Sequence, residues 1–294
     1  MNQRLKGVFI PVITPFTNQK VDYVKLAFNI RKSNYSSVAG YMPLGSNGEF
    51  VHMNDEEQID VLKIVKENML KEKILMVGIA RQSAYNTIEF GKAVQEIGVD
   101  FVSILTPNYF ASSMKDAALI KYYTTIADEL SIPILLYNCP KFAANVTLSL
   151  EVVKELSTHP NIAGMKDTSS GNIEKYLSIK DESFEVIAGS ISNFLQGLKN
   201  GASGGVLSMV NYLPEPCCEI QKIFQEGKVE EAEQLSDKLI SLNKGAAGKY
   251  GVAGVKASCD LFGYHGGEVR NPLSDCTDEQ IIAIKNDFLQ AGYL

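Results

Sequence analysis

The sequence predicts an α/β protein: a (β/α)8 TIM barrel with a C-terminal helical extension. Three observations carry that prediction. Eight short apolar runs punctuate the chain, at residues 7–13, 38–44, 74–79, 99–105, 132–137, 162–165, 184–188 and 204–207. They are rich in Val, Ile and Leu and almost continuously apolar, as suits parallel strands covered on both faces. Segments of helix length alternate with them, and eight such alternations is the count of the barrel. Finally, the first run ends Ile13-Thr14-Pro15-Phe16. A doubly wound sheet would usually carry G-x-G-x-x-G there.

The connecting segments justify themselves in turn. In 55–70, Ile59, Leu62, Ile64, Val65 and Met69 give a helix-like apolar stripe, with Asn54 or Asp55 as cap. Glu56 and Glu57 complement the helix dipole at its start. Residues 84–97, 114–130, 149–157, 192–200 and 213–225 fill further gaps as helices. The tail after the eighth run is too long for one closing helix. Residues 229–242 and 277–288 are helical by pattern, and a Gly/Ala-rich stretch at 244–254 leads into 255–262. The expected organisation is therefore barrel strands and helices over 1–212. The last barrel helix and a helical extension fill 213–294, within one structural unit. No repeat of 20–50 residues appears beyond the βα alternation.

The 294 residues carry 28 Lys plus Arg against 34 Asp plus Glu, a net charge of −6. That balance argues against a nucleic-acid binder, which would usually present a basic face. No apolar run reaches the ~18–20 residues that span a bilayer. The polar residues 1–6 lack the apolar core and cleavage site of a secretory signal, so a cytoplasmic location is expected. Cys139, Cys217, Cys218, Cys259 and Cys276 form no C-x-x-C pair. With only His52, His159 and His265 beside them, neither a disulfide framework nor a zinc site is expected. None of the three histidines ends a strand-like run. Cys217 and Cys218 read as packing residues of a helix.

Active sites of such barrels lie at the C-terminal ends of the strands. Lys166 follows the sixth run, so its stem starts inside the barrel mouth. Burial would depress its pKa and supply a neutral amine, a nucleophile toward carbonyls. A lysine snorkelling to water or pairing with Asp167 would fit the same position. Tyr137 ends the neighbouring run. It could shuttle protons beside an amine, or serve as a core tyrosine bonded at the rim. The stretch Gly45-Ser46-Asn47-Gly48-Glu49 offers a hydroxyl, an amide and several backbone N–H groups. It reads as a carboxylate cradle or as a plain strand-to-helix turn. The glycine-rich stretch 201–205 precedes its strand, which favours tight packing over phosphate binding.

Taken together, these residues closely resemble the dihydrodipicolinate synthase/N-acetylneuraminate lyase family of class I, pyruvate-handling aldolases. The matching pieces are Pro11-Val12-Ile13-Thr14-Pro15-Phe16, Gly45-Ser46-Asn47-Gly48-Glu49, Thr106-Pro107-Asn108-Tyr109, Tyr137-Asn138-Cys139-Pro140, Gly164-Met165-Lys166-Asp167 and Ala188-Gly189-Ser190. They occur in family order and spacing, from about residue 7 to the C-terminus. The resemblance implies a Schiff base between Lys166 and a 2-oxo acid, with Tyr137 as the acid/base at the substrate hydroxyl. Ser46 and Asn47 would hold the carboxylate of the pyruvate moiety, Ser46 also serving the proton relay. Tyr109 matches a tyrosine that, in the synthase branch, reaches a neighbouring subunit's relay. Gly189 and Val206 match positions whose backbone carbonyls line the site. Such enzymes are commonly homotetramers, dimers of dimers, and need neither metal nor dissociable cofactor. No nucleic-acid or membrane partner is implied.

Departures bear on the branch. Dihydrodipicolinate synthases carry an arginine two residues after the proline of Tyr-Asn-x-Pro. Phe142 stands there, preceded by Lys141. A phenyl ring cannot make a bidentate carboxylate contact, and a lysine supplies only a point charge. Asn108-Tyr109 replaces the synthase's usual Tyr-Tyr. Residues 45–50, 159–167 and 262–267 look instead like the 4-hydroxy-2-oxoglutarate aldolase branch, which yields pyruvate and glyoxylate. Aldolases of 2-keto-3-deoxy sugar acids share Lys-Asp-Thr or Lys-Asp-Ser after the strand, and Thr168 would then contact the acceptor end. A synthase rebuilt around Lys141, and a non-catalytic 2-oxo-acid sensor on the same scaffold, are the remaining readings.

Overall fold

Each of the eight apolar runs forms a strand. The protein is described here by a computed structural model over residues 5–294 apart from Ser170. In chain order the first elements are β1 (Gly7–Ile10), a hairpin of β2 (Phe16–Thr17) and β3 (Lys20–Val21), α1 (Tyr23–Ser33), β4 (Gly40–Tyr41) and α2 (Asp55–Asn68). Then come β5 (Ile74–Gly78), α3 (Ala84–Gln95), β6 (Phe101–Leu105), α4 (Asp116–Glu129), β7 (Ile134–Asn138) and α5 (Leu150–Leu156). They are followed by β8 (Ile162–Asp167), α6 (Ile173–Leu177), β9 (Glu185–Ala188), α7 (Ile191–Lys199) and β10 (Gly204–Val206). The chain closes with α8 (Pro214–Gln225), α9 (Val229–Gly245), α10 (Ala247–Leu261) and α11 (Asp278–Gln290). The eight parallel strands close into a barrel in the order β1-β10-β9-β8-β7-β6-β5-β4.

Contacts group the chain into two units. The first, Ile74–Val206, carries β5 to β10. Every residue of β6 and β7 is buried, and the polar residues of this unit's strands are buried with them: Ser103, Asn138, Lys166, Asp167 and Glu185. Past a register shift between Ile134 and Leu135 in the β7–β8 pair, Leu105 pairs with Tyr137, Tyr137 with Lys166, and Lys166 with Ile187. A one-residue slip would turn every inward side chain outward, so this register sets what β7 and β8 present at their C-terminal ends.

The second unit joins Gly7–Lys73 to Leu207–Leu294. Here β1 pairs with β4, Phe9 opposite Gly40 and Ile10 opposite Tyr41. Pro11 has no N–H to extend the ladder, yet alignment continues through Met42 N to Ile10 O and Val12 N to Met42 O. The Asn211 amide ties the end of β1 across the sequence. It accepts from Ile13 N at 3.2 Å and donates to Pro11 O at 3.0 Å. In α2, Asn54 is the cap: its side chain accepts from Glu57 N while the Glu57 carboxylate accepts from Asn54 N.

The structure adds helices that the sequence reading did not place, α1 and the short α6 (Ile173–Leu177). Helix α1 fills the gap between the first two runs, capped by Asp22, whose carboxylate accepts from Lys25 N. Its Val24 and Phe28 face solvent, which blurs the apolar stripe made by Leu26, Ala27 and Ile30. The Gly/Ala-rich stretch folds into α10, with its backbone broken at Gly251 (φ 60°, ψ −140°). That conformation is open to glycine, so α10 is two helical segments joined at a kink within the Gly/Ala-rich stretch. Among the described residues no helix is long and apolar enough to cross a membrane.

Candidate active site

In the first unit, strands β7 to β10 bring five of the expected residues, Tyr137, Lys166, Thr168, Gly189 and Val206, to their C-terminal ends. Lys166 is the penultimate residue of β8 and only 5% exposed. Its Nζ lies 4.1 Å from the centroid of the Tyr137 ring, on the paired strand. Burial drives the Lys166 pKa down to about 8, with Cys139 acting in the opposite direction. Tyr137 is buried. Its burial excludes snorkelling to water.

Asp167 does other work. Its Oδ1 accepts from Asn138 Nδ2 (2.8 Å) and Ser169 Oγ (2.7 Å). Asn138 Oδ1 in turn accepts from Leu148 N, and Nδ2 reaches Tyr176 OH at 3.3 Å. Burial raises the Asp167 pKa, opposed by the Ser169 and Asn138 hydrogen bonds. Successive strand residues point to opposite faces, so this network lies on the far side of β7 and β8 from Lys166 and Tyr137. It braces the strand ends. Asn138 and Asp167 stand inside the quoted motifs, but nothing in the sequence signals Ser169 or Tyr176 as their partners.

Thr168 and Gly189 are in close approach. A Cβ built on Gly189 would fall 1.9 Å from Thr168 Oγ1 and 2.9 Å from Asp167 O. Gly189 N donates to Asp167 O at 2.7 Å. The Thr168 hydroxyl oxygen is buried with no hydrogen-bond partner among the described residues. Val206, the last residue of β10, is 1% exposed.

The loop after β6 sits differently. Tyr109 is 80% exposed and stacks edge-on with Phe110 at 5.0 Å. Gln82 Oε1 accepts from both Asn108 N and Tyr109 N at 2.9 Å, and Asn108 Nδ2 donates to Phe142 O at 3.0 Å. Three loops are thereby linked, with Gln82 a participant the sequence reading missed. Phe142 is 49% exposed, and Lys141 Nζ lies 5.8 Å from its ring centroid.

In the second unit, Ser46 and Asn47 lie in a 3-10 turn, Ser46–Gly48, beyond the end of β4. Asn47 Nδ2 donates to Ser208 Oγ at 2.8 Å, and Thr14 Oγ1 donates to Gly48 O at 2.8 Å. Both Ser46 and Asn47 are half-buried. The histidines serve local contacts: His52 faces Glu49, His159 faces Asp128, and His265 packs on Phe28.

A buried lysine of lowered pKa beside a tyrosine, at the C-terminal ends of barrel strands, is the layout of a carbonyl-handling barrel enzyme. The sequence matches the dihydrodipicolinate synthetase family over residues 4–291, and the chain belongs to that family; it is a carbon–carbon lyase. It is 30% identical over 292 residues to the protein of Emericella nidulans named probable 4-hydroxy-2-oxoglutarate aldolase, mitochondrial, covering 97% of this chain and 94% of that one. It is 27% identical over 302 residues to the L-threo-3-deoxy-hexylosonate aldolase of Hypocrea jecorina, covering 97% and 95%. Among solved structures, the 4-hydroxy-tetrahydrodipicolinate synthase of Methylacidiphilum fumariolicum SolV superposes with a TM-score of 0.91 at 26% identity, covering 98% of this chain and 96% of that one.

Proposed function

We propose that this family member is a Schiff-base aldolase that cleaves or forms a pyruvate-derived 4-hydroxy-2-oxo acid, with 4-hydroxy-2-oxoglutarate as substrate. The observation that carries the reading is Lys166, buried beside Tyr137 with its pKa lowered to about 8. The neutral amine adds to the C2 carbonyl of the oxo acid and water leaves, giving an iminium. Tyr137 gives its proton to the departing hydroxyl in that dehydration and, as the resulting phenolate, takes the proton of the C4 hydroxyl. The C3–C4 bond then breaks, its electron pair passing into the iminium to give an enamine. Glyoxylate departs, C3 is protonated, and water releases pyruvate and restores Lys166. No metal or dissociable cofactor enters these steps.

From the family resemblance, Ser46 and Asn47 hold the C1 carboxylate, and Ser46 also serves the proton relay. The backbone carbonyls of Gly189 and Val206 line the site, and Thr168 contacts the acceptor end. Tyr109 acts from a neighbouring subunit in a cytoplasmic tetramer built as a dimer of dimers; its 80% exposure supports a contact made outside its own chain.

Against a synthase role stands the Phe142 ring, which offers no guanidinium at that position, and Lys141 lies over that ring. The hexylosonate aldolase relative favours a 2-keto-3-deoxy sugar acid as second reading. The test is pyruvate release from racemic 4-hydroxy-2-oxoglutarate, followed through lactate dehydrogenase. Rapid release supports the reading. No release, with release from a 2-keto-3-deoxy sugar acid, moves the substrate to the second.

A further inference from the structure

A buried ion pair next to the Ser46–Gly48 turn has no part in the steps above. Glu49 and Lys256 meet at 2.6 Å with side chains 1% and 2% exposed. Glu49 directly follows the turn, in the left-handed region at φ 53°. A non-glycine residue there is strained by about 1–2 kcal/mol. Such strain persists where surrounding structure over-determines it, and it concentrates at ligand clamps. The surroundings do over-determine Glu49. Its Oε2 accepts from Arg270 N at 3.0 Å and faces His52 Nδ1 at 3.2 Å. Lys256, from α10, also donates to the Glu268 carbonyl and lies 4.5 Å from the Phe16 ring. Arg270 is itself anchored by a bidentate pair to Glu57, at 2.7 and 2.8 Å.

A buried ion pair of this kind gives little net stability, because desolvating two charges offsets their attraction; an apolar pair of similar volume often packs as well. What it does supply is direction. Glu49 has one position in which all three partners are met, and that position sets where the turn ends. The other side of the turn is held by Asn47 Nδ2 on Ser208 and Thr14 on Gly48 O.

We infer that the Glu49–Lys256 pair is a positioning device for substrate recognition: it fixes the Ser46–Gly48 turn so that Ser46 and Asn47 meet the carboxylate of the 2-oxo acid. This makes α10 and the 268–270 segment contributors to pyruvate affinity through Glu49. The inference rests on the aldolase reading and deepens it.

Borohydride trapping of pyruvate by the full chain tests it, with thermal unfolding and the KM for glyoxylate measured alongside. Glu49→Gln leaves Lys256 without its counter-charge and is expected to lower stability. The double variant Glu49→Leu/Lys256→Met replaces both charges and is expected to recover it. The inference expects this folded double variant to need about tenfold more pyruvate for half-maximal trapping, roughly the loss of one oriented hydrogen bond to a charged group. Its KM for glyoxylate should not change, and Ser46→Ala should reproduce the pyruvate shift. A folded double variant with wild-type half-saturation overturns the inference and leaves the aldolase reading standing. A double variant that cannot fold also overturns it, since the pair then serves the fold. A wild-type chain that traps no pyruvate overturns the aldolase reading itself, before any variant is made.

Discussion

Lys166 Nζ sits 4.1 Å from the centre of the Tyr137 ring, and the two residues are paired opposite one another in parallel register. The ring's negative face favours the ammonium, while burial favours the amine. Burial is the larger influence, and the pKa falls to about 8 from 10.5.

The first expected outcome is a pH profile. At pH 7 an amine of pKa about 8 is roughly 9% neutral, against roughly 0.03% at 10.5, so about 300-fold more nucleophile is available. The rate of borohydride-trapped adduct formation with pyruvate should therefore rise with pH and level off above about 8. A rate still climbing steeply at pH 9.5 contradicts a lowered pKa. Peptide mapping should place the adduct on Lys166, and Lys166→Ala should trap none.

The same lysine bears on stability. Its folded pKa lies below the unfolded one, so between about 8 and 10.5 the unfolded chain binds the proton that the folded chain lacks. Stability rises with pH across that window, and the cost of burying the cation is fully felt below it. Lys166→Met should thus raise Tm at pH 7, by an amount equivalent to up to about 3 kcal/mol, while abolishing turnover. The advantage should shrink between pH 8 and pH 10. A variant no more stable than wild type at pH 7 would argue that the folded site compensates the charge.

Tyr137→Phe keeps the buried ring and deletes the acid/base. Turnover of 4-hydroxy-2-oxoglutarate should fall about 10²–10⁴-fold, with Tm nearly unchanged because the packing surface survives. Retention of more than a tenth of wild-type kcat would assign the proton transfer elsewhere.

Phe142→Arg restores the guanidinium that the synthase pattern carries. A bidentate contact of about 1.5–3 kcal/mol corresponds to roughly 10–100-fold in kcat/KM. Expected is a gain of that size for aspartate semialdehyde relative to glyoxylate as acceptor. No change in the ratio would mean that the 140–142 loop does not face the acceptor.

Gly189→Ala probes the close approach at the end of β9. The new methyl would meet Thr168 Oγ1 at 1.9 Å and Asp167 O at 2.9 Å. Since one contact is backbone, the strand ends must part, at a cost of roughly 1–3 kcal/mol. Lower Tm and weaker pyruvate trapping should appear together; wild-type values for both would show that the site yields easily.

Much of this was readable because a parallel barrel writes its strands as continuous apolar runs. Lys166 and Tyr137 stood out for the same reason: they are polar residues closing such runs. Helix α1 escaped because Val24 and Phe28 break its apolar stripe by facing outward. The Asp167–Ser169–Tyr176 bracing and the Gln82 link between loops were invisible because each depends on which neighbouring element lies alongside, information no local pattern holds. The Glu49–Lys256 pair joins residues 207 positions apart. Periodicity reports that such residues are on helices or turns, and says nothing of whom they meet.

The Asn211 amide, which grips the backbone at Ile13 and Pro11 from about 200 residues downstream, has a consequence for biosynthesis. A nascent chain threads out its first strand early, but the clasp that holds that strand arrives only after the last one has been made. Such late, long-distance closures carry a large loop entropy and slow folding. Until residue 211 has been made, the first strand lacks this latch.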